Sequence, residues 1–182
     1  MKKIFVISGS PRLEGNSNLL AEAFIKGAQA GDNEVVYINA YDINLKPCLA
    51  CDSCWRHNKP CVLEDDNELL EQGMKDAEAI VIISPIYFFG LTGKLKVLID
   101  KLYPFIPKQV PYELKIKDAY LISCCADEET EVFASVKAAF RQISTYMGWN
   151  IKDEVLINNC GKYQEIKKTK YLDYVYQMGF KI

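Results

Sequence analysis

The chain has 182 residues, of which 49% are hydrophobic, so it is long enough for one domain with a sizeable core. Its net charge of −2 creates no broad field that would attract nucleic acid or an anionic membrane. The apolar run after Lys2 and Lys3 is too short for a signal peptide, and no stretch reaches the roughly 18 apolar residues of a membrane span. We therefore expect a single cytoplasmic domain over residues 1–182 with no nucleic-acid or membrane partner.

Strand and helix patterns alternate along the chain. Short apolar runs predict strands, and apolar residues at helical spacing predict helices. The predicted strands are residues 2–8, 34–40, 79–84, 118–124 and 151–159, and the predicted helices are residues 16–30, 67–76, 92–105, 129–147 and 165–178. An irregular, cysteine-rich insert over about 41–66 is longer than most connections, and loops of that length tend to be functional or disordered.

This alternation predicts an α/β fold, a doubly wound five-stranded parallel sheet with helices on both faces. Residues 80–83 lack polar alternation, which agrees with a strand buried on both sides. Among the common strand orders, the flavodoxin-like order 2-1-3-4-5 places a ligand outside the carboxyl ends of strands 1 and 3. The loops after these two strands should therefore be unusual in composition.

The loop after strand 1, residues 9–18, is small and polar. Its glycines let the backbone approach a ligand, and the helix that follows begins with free backbone amides. Side-chain donors come from Ser10, Arg12, Ser17 and Asn18. The pattern matches neither a Walker A motif nor the dinucleotide fingerprint, and it predicts a site for one phosphomonoester. The alternative is an ordinary polar turn capped by Asn16 or Ser17.

The loop after strand 3, residues 84–93, contains three consecutive aromatic residues, Tyr87, Phe88 and Phe89. Flat apolar side chains beside small residues suit a planar ring system. The alternative is a subunit interface, which aromatic residues also favour. The two loops together are more specific than either alone.

The pairing of Gly-Ser-Pro-Arg-x-x-Gly-Asn-Ser with Ser-Pro-Ile-Tyr-Phe-Phe-Gly resembles the NAD(P)H-dependent FMN reductase family, and residues 93–101 extend the match. The resemblance implies FMN, with NAD(P)H as electron donor and no side-chain acid or base. It also implies a phosphate site at Ser10, Arg12, Asn16, Ser17 and Asn18, and a flavin site along Pro85, Ile86, Tyr87, Phe88, Phe89 and Gly90. The family commonly has arginine where this chain has Lys101, a position outside the proposed contacts.

Four cysteines form the motif Cys48-x2-Cys51-x2-Cys54-x6-Cys61. Two-residue gaps allow three thiolates to reach neighbouring corners of a cubane, and a more distant cysteine can supply the fourth. The spacing resembles the motif of iron–sulfur flavoproteins and predicts a [4Fe–4S] cluster on Cys48, Cys51, Cys54 and Cys61. Zinc bound by four thiolates and a set of empty thiols remain alternatives.

The leading hypothesis is an FMN-binding oxidoreductase that passes electrons from NAD(P)H through the flavin and a cluster. Its rivals are an electron carrier with ferredoxin-like partners and no NAD(P)H turnover, and a metal- or nucleotide-binding regulator. We also expect a homodimer or homotetramer. The remaining cysteines, Cys124, Cys125 and Cys160, are predicted to be small buried hydrophobic residues.

Overall fold

The computed structural model describes residues 1–57, 61–107 and 114–182. Five strands form one parallel sheet in the order β2-β1-β3-β4-β5, which confirms the predicted flavodoxin-like arrangement. The strands are β1 (Lys3–Ser8), β2 (Glu34–Asn39), β3 (Ala79–Pro85), β4 (Asp118–Cys124) and β5 (Asn150–Ile157). Five of their ten bounds coincide with the predicted ones, and the other five differ by one or two residues.

Helices connect and follow the strands. They are α1 (Asn16–Ala30), α2 (Ser53–Arg56), α3 (Asn67–Asp76), α4 (Gly93–Asp100), α5 (Ala134–Met147) and α6 (Tyr171–Phe180). Three predicted helices are shorter than expected, because their ends form 3₁₀ turns at Tyr103–Phe105, Thr130–Phe133 and Glu165–Lys168. The first turn contains Pro104, whose missing N–H cannot continue α4. The four-residue α2 lies inside the cysteine-rich insert, which was predicted to be irregular.

The core is split into two layers by the sheet. Phe5 and Ile7 of β1 face a layer that includes residues of α3, α4 and α5, whereas Ile4 and Val6 face α1 and α6. All four side chains are completely buried, so β1 is covered on both faces. Each buried side chain of this size stabilises the fold by about 1.5–3 kcal/mol.

The carboxyl ends of β1 and β3 are joined by direct hydrogen bonds. The Gly9 N–H donates to the Ile83 carbonyl at 2.8 Å, and the Thr92 hydroxyl donates to the Gly9 carbonyl at 2.7 Å. These bonds bring the loop after β1 beside the loop that leads from β3 into α4. Among the residues described, no helix combines the length and apolar character needed to cross a bilayer.

Candidate functional site

A cleft lies at the carboxyl edge of the sheet, where the predicted loops meet. It opens to solvent, and its space, part of which is open solvent, measures about 560 Å³. The loops after β1, β3, β4 and β5 all contribute to its walls. The lining residues are Ser10, Arg12, Gly15, Asn16, Ser17, Pro85, Ile86, Tyr87, Cys124, Cys125, Ala126, Cys160 and Gly161.

The start of α1 forms one wall of this cleft. Its N-cap is Gly15, which has no side chain that could cap the helix, so the first backbone N–H groups of α1 are left for a ligand. Ser17 in the first turn shares a hydrogen bond of 3.1 Å with the thiol of Cys124. The exposed Arg12 side chain adds a positive charge at the same wall. This wall is suited to an anion, and neither Asn16 nor Ser17 is the cap that the alternative interpretation required.

Asn18, which was assigned to the phosphate site, faces the inside of the loop. Its amide oxygen accepts a hydrogen bond of 2.7 Å from the Ser8 hydroxyl. Its amide nitrogen donates to the carbonyls of Ser10 at 3.4 Å and Arg12 at 3.0 Å. The side chain therefore fixes the shape of the loop and does not line the cleft.

Asn16 lines the cleft, but its side chain is also engaged within the protein. The amide nitrogen donates to the carbonyls of Cys160 at 3.0 Å and Lys162 at 2.9 Å. The amide oxygen accepts from the Ile166 N–H at 3.2 Å. Asn16 thus ties the start of α1 to the segment after β5, and its backbone N–H is the group left for a ligand.

The aromatic loop divides into two parts. Pro85, Ile86 and Tyr87 line the cleft, whereas Phe88, Phe89 and Gly90 do not. Tyr87 and Gly90 exchange backbone hydrogen bonds of 3.0 and 3.1 Å, which makes Phe88 and Phe89 the centre of a two-residue hairpin turn.

Both phenylalanines of this turn adopt positive φ angles, 47° and 62°. Such angles cost about 1–2 kcal/mol per residue for side chains with a Cβ. The Ser135 hydroxyl of α5 donates to the Phe89 carbonyl and anchors the turn, while the Phe88 side chain is completely exposed. A strained turn therefore projects an aromatic ring into solvent close to the cleft.

Three cysteines that were predicted as core residues, Cys124, Cys125 and Cys160, are buried but also line the cleft. Burial raises the pKa of Cys124 to about 11 and that of Cys160 to about 12, so both thiols are neutral at physiological pH. Residues at or just after the ends of β4 and β5 lie at the same edge of the sheet as the loops after β1 and β3. The predicted strand order was therefore the feature of the sequence that could have placed these three cysteines beside the cleft.

The four cysteines of the insert surround a second pocket, located at the end of α4. Its lining residues are Cys48, Leu49, Ala50, Cys51, Asp52, Cys54, Cys61, Val62, Leu63, Asp100, Lys101, Tyr103 and Pro104. None of them lines the cleft. The sequence motif is therefore gathered around one cavity that is separate from the first site.

The backbone of the insert turns sharply between its first cysteines. Ala50 and Asp52 have φ angles of 51° and 54°, which lie in the left-handed region. The Ala50 N–H donates to the sulfur of Cys48 at 3.5 Å. Hydrogen bonds from Ser53 lower the pKa of the Cys51 thiol, whereas burial raises the pKa of Cys54. The loop thus supplies donors to sulfur as well as the sulfurs themselves.

A buried ion pair lies at the wall of this pocket. The Lys101 ammonium lies 2.6 Å from a carboxylate oxygen of Asp65 and donates to the sulfur of Cys61 at 3.3 Å. Burial acts to lower the pKa of Lys101, but hydrogen bonds with Asp65 and Cys61 outweigh it and raise the pKa. Burial likewise opposes the shift at Asp65, where contact with Lys101 lowers the pKa. Both groups are therefore charged.

The cysteine side chains of the insert do not converge on one position as the ligands of a single metal ion do. Within residues 1–57, 61–107 and 114–182, no three His, Cys, Asp or Glu side chains are arranged as a metal site. The lone histidine, His57, is exposed at the end of α2. The four thiols instead lie around a cavity, so an occupant would have to fill the space between them.

The profile of the family described as NADPH-dependent FMN reductase matches residues 2–160. The chain belongs to this family. The match spans the loops after β1 and β3 and the cysteine insert, and it ends before α6. The family resemblance inferred from residues 9–17 and 84–90 is therefore confirmed.

The relatives differ in the fraction of this chain that their sequences match. Iron–sulfur flavoprotein MJ1083 of Methanocaldococcus jannaschii is 35% identical over 115 residues, which is 63% of this chain and 58% of that protein. YwqN of Bacillus subtilis is 29% identical over 159 residues, 85% of this chain and 83% of that protein. The aligned region spans about half the length of the iron–sulfur flavoproteins, from 47% to 58%.

Solved structures of the same fold include an NAD(P)H:quinone oxidoreductase from Methanothermobacter marburgensis. It superposes with a TM-score of 0.72 and 17% sequence identity, covering 98% of this chain and 96% of its own. At this level of sequence identity, the similarity establishes the fold of this chain. Its chemistry has to be inferred from the residues of the site.

Proposed function

We propose that this family member is an FMN-binding oxidoreductase that takes electrons from NAD(P)H. The observation that carries the proposal is the cleft between the loops after β1 and β3, with the uncapped start of α1 in one wall and Tyr87 in the other. An anion site beside an aromatic wall suits a phosphorylated ring compound. YwqN, whose name refers to an NAD(P)H-dependent, FMN-containing oxidoreductase, supports the same assignment.

In this proposal the chain binds and orients FMN and supplies no acid or base. The backbone amides of α1 and the Arg12 guanidinium hold the phosphate, and Ser10 and Ser17 add neutral donors. Pro85, Ile86 and Tyr87 would hold the ring, and Phe88, Phe89 and Gly90 follow them in the same loop. Bound FMN supplies a centre that accepts a hydride and releases electrons singly or in pairs. Because their pKa values are raised, the thiols of Cys124 and Cys160 line the cleft in the neutral form and add no charge beside a bound cofactor.

We also propose that Cys48, Cys51, Cys54 and Cys61 hold a [4Fe–4S] cluster. Four sulfurs suit iron in a cubane, and the curled loop at Ala50 and Asp52 offers the amide donors found around such clusters. A cubane occupies the space between its ligands, which agrees with thiols that surround a cavity. The name of MJ1083 as an iron–sulfur flavoprotein supports the assignment.

Purification without oxygen, followed by a visible spectrum and assays of iron and acid-labile sulfide, tests both cofactors. We expect flavin absorption with a broad iron–sulfur shoulder and about four irons per chain. One zinc per chain and no iron would contradict the cluster and support zinc bound by the four thiolates. Protein that stays colourless after addition of FMN would refute the central proposal. Oxidation of NAD(P)H separates an enzyme from a carrier served by ferredoxin-like partners, since the carrier would show no useful turnover.

Arg12→Ala is expected to weaken FMN binding about 10- to 100-fold, because a hydrogen bond to a charged group contributes about 1.5–3 kcal/mol. The affinity for riboflavin, which lacks the phosphate, should not change. Titrations that follow quenching of flavin fluorescence would measure both constants. Lys26→Ala on the exposed face of α1 removes the same charge outside the cleft and serves as the control. Equal losses for FMN and riboflavin would show that Arg12 does not contact the phosphate.

We further propose a homodimer or homotetramer. Support comes from the exposed turn near the cleft, where Phe88 is 100% and Phe89 61% exposed. Aromatic residues are enriched at protein interfaces. Sedimentation equilibrium measures the assembly, and a monomer at micromolar concentration would contradict the proposal.

A further inference from the structure

The end of α4 holds a buried lysine that is paired with a buried aspartate. Lys101 is 2% exposed and its partner Asp65 is 0% exposed. Removing two charges from water is costly, and a buried ion pair of this kind can often be replaced by apolar residues without loss of stability. A buried ammonium that also touches a sulfur therefore points to a role beyond holding the chain together.

Asp65 is held in place from several directions. The carboxylate oxygen that contacts Lys101 also accepts from the Lys46 N–H at 2.9 Å. Its second oxygen accepts from the Asn67 N–H at 3.2 Å. Asp65 is thus fixed to both ends of the cysteine insert and presents a rigid partner to the lysine.

Lys101 has three N–H donors, and the contacts with Asp65 and Cys61 use two of them. The 3.3 Å contact with the Cys61 sulfur is a hydrogen bond from a charged donor. The other charged side chains that line this pocket, Asp52 and Asp100, are acidic. Among the residues that the structure describes, Lys101 is therefore the cationic side chain in the wall of this pocket.

We propose that Lys101, oriented by Asp65, is a positioning residue that raises the reduction potential of a cluster bound at the four cysteines. The inference rests on the proposed cluster. One-electron reduction adds one negative charge and makes or breaks no bond. A cation and a hydrogen bond at Cys61 stabilise the more negative state, and cluster potentials respond to both net charge and hydrogen bonds to sulfur.

The test is a redox titration of the anaerobically purified full chain with dithionite as electron donor, followed by the electron paramagnetic resonance of the reduced cluster. Lys101→Met should lower the one-electron equilibrium constant for cluster reduction about tenfold, which corresponds to a midpoint about 59 mV more negative. Lys101→Arg keeps the charge and should stay close to the wild type. Lys96→Met, an exposed position on the same helix, is the matched control.

Asp65→Asn provides a second variant with the opposite expected sign. Removing the acidic partner should move the potential in the positive direction while Lys101 remains beside Cys61. A change caused by disrupted structure would move both variants the same way. Retention of FMN reports on folding, because the cleft shares no lining residue with the cysteine pocket. If Lys101→Met fails to retain FMN, the sign of the Asp65→Asn shift decides the question.

The outcomes separate this inference from the cluster proposal. Wild-type protein without iron would overturn the cluster and the role of Lys101 together. Wild-type protein with iron whose potential is unchanged in Lys101→Met, or shifts equally in Lys96→Met, would overturn the role of Lys101 alone.

Discussion

Alanine at any one of Cys48, Cys51, Cys54 or Cys61 is expected to reduce the iron content from about four atoms per chain to less than about one. A cubane that loses a thiolate exposes one iron to solvent and to hydrolysis. FMN content should remain at the wild-type value, since the two pockets have separate walls. Iron and sulfide assays on anaerobic preparations, with flavin released by heating, measure both quantities.

Cys125→Ala is the control for this series because it removes a buried thiol outside the insert. It should retain all of its iron. A variant of the insert that also keeps its iron would exclude that cysteine as a ligand, and loss of FMN together with iron would mean that the sites are coupled. The complementary variant Arg12→Ala should lose FMN affinity and keep iron, so the pair tests the independence of the two sites.

The sheet could be predicted from the sequence because each strand and each helix shows its own pattern over a short stretch of residues. The run Ile80 to Ile83 lacks polar alternation, and each strand is followed by a helical pattern, which together define a parallel sheet covered on both faces. Helix ends were less predictable. The segment Thr130–Phe133 continues the helical pattern of α5, yet it forms a 3₁₀ turn, since such ends depend on the surrounding packing.

The direction of individual side chains in the loops was not readable from sequence. Asn16 and Asn18 are suitable ligands by residue type, but each satisfies its amide within the protein. Phe88 and Phe89 are aromatic residues beside a predicted ring site, yet they form the centre of a hairpin turn and do not line the cleft. Residue type predicts which chemistry a loop can perform, whereas long-range contacts such as that between Asn16 and Cys160 decide which atoms face the ligand.

The wall of the cleft depends on how closely α1 approaches α6, a helix that lies beyond the residues matched by the family profile. A Cβ built on Gly27 would lie 2.0 Å from the Tyr176 carbonyl oxygen, and one built on Gly179 would lie 2.3 Å from that of Phe24. Both contacts involve backbone atoms, which cannot rotate away as a side chain can. The two glycines therefore allow the helix backbones to touch, and this packing supports α1 behind the proposed phosphate site.

Gly27→Ala is expected to destabilise the protein by up to about 2 kcal/mol, because overpacking costs about 1–3 kcal/mol and the roughly 1 kcal/mol that alanine gains in a helix offsets only part of this cost. Gly93→Ala makes the same substitution in α4 at a position with no atom within 4 Å of the new Cβ, and it should stabilise the protein by about 0.4–1 kcal/mol. Neither glycine lines the cleft. Urea unfolding at saturating FMN therefore adds the same ligand contribution to both variants. Equal midpoints for the two variants would mean that α6 can shift to accept a methyl group, and that the start of α1 does not depend on this contact.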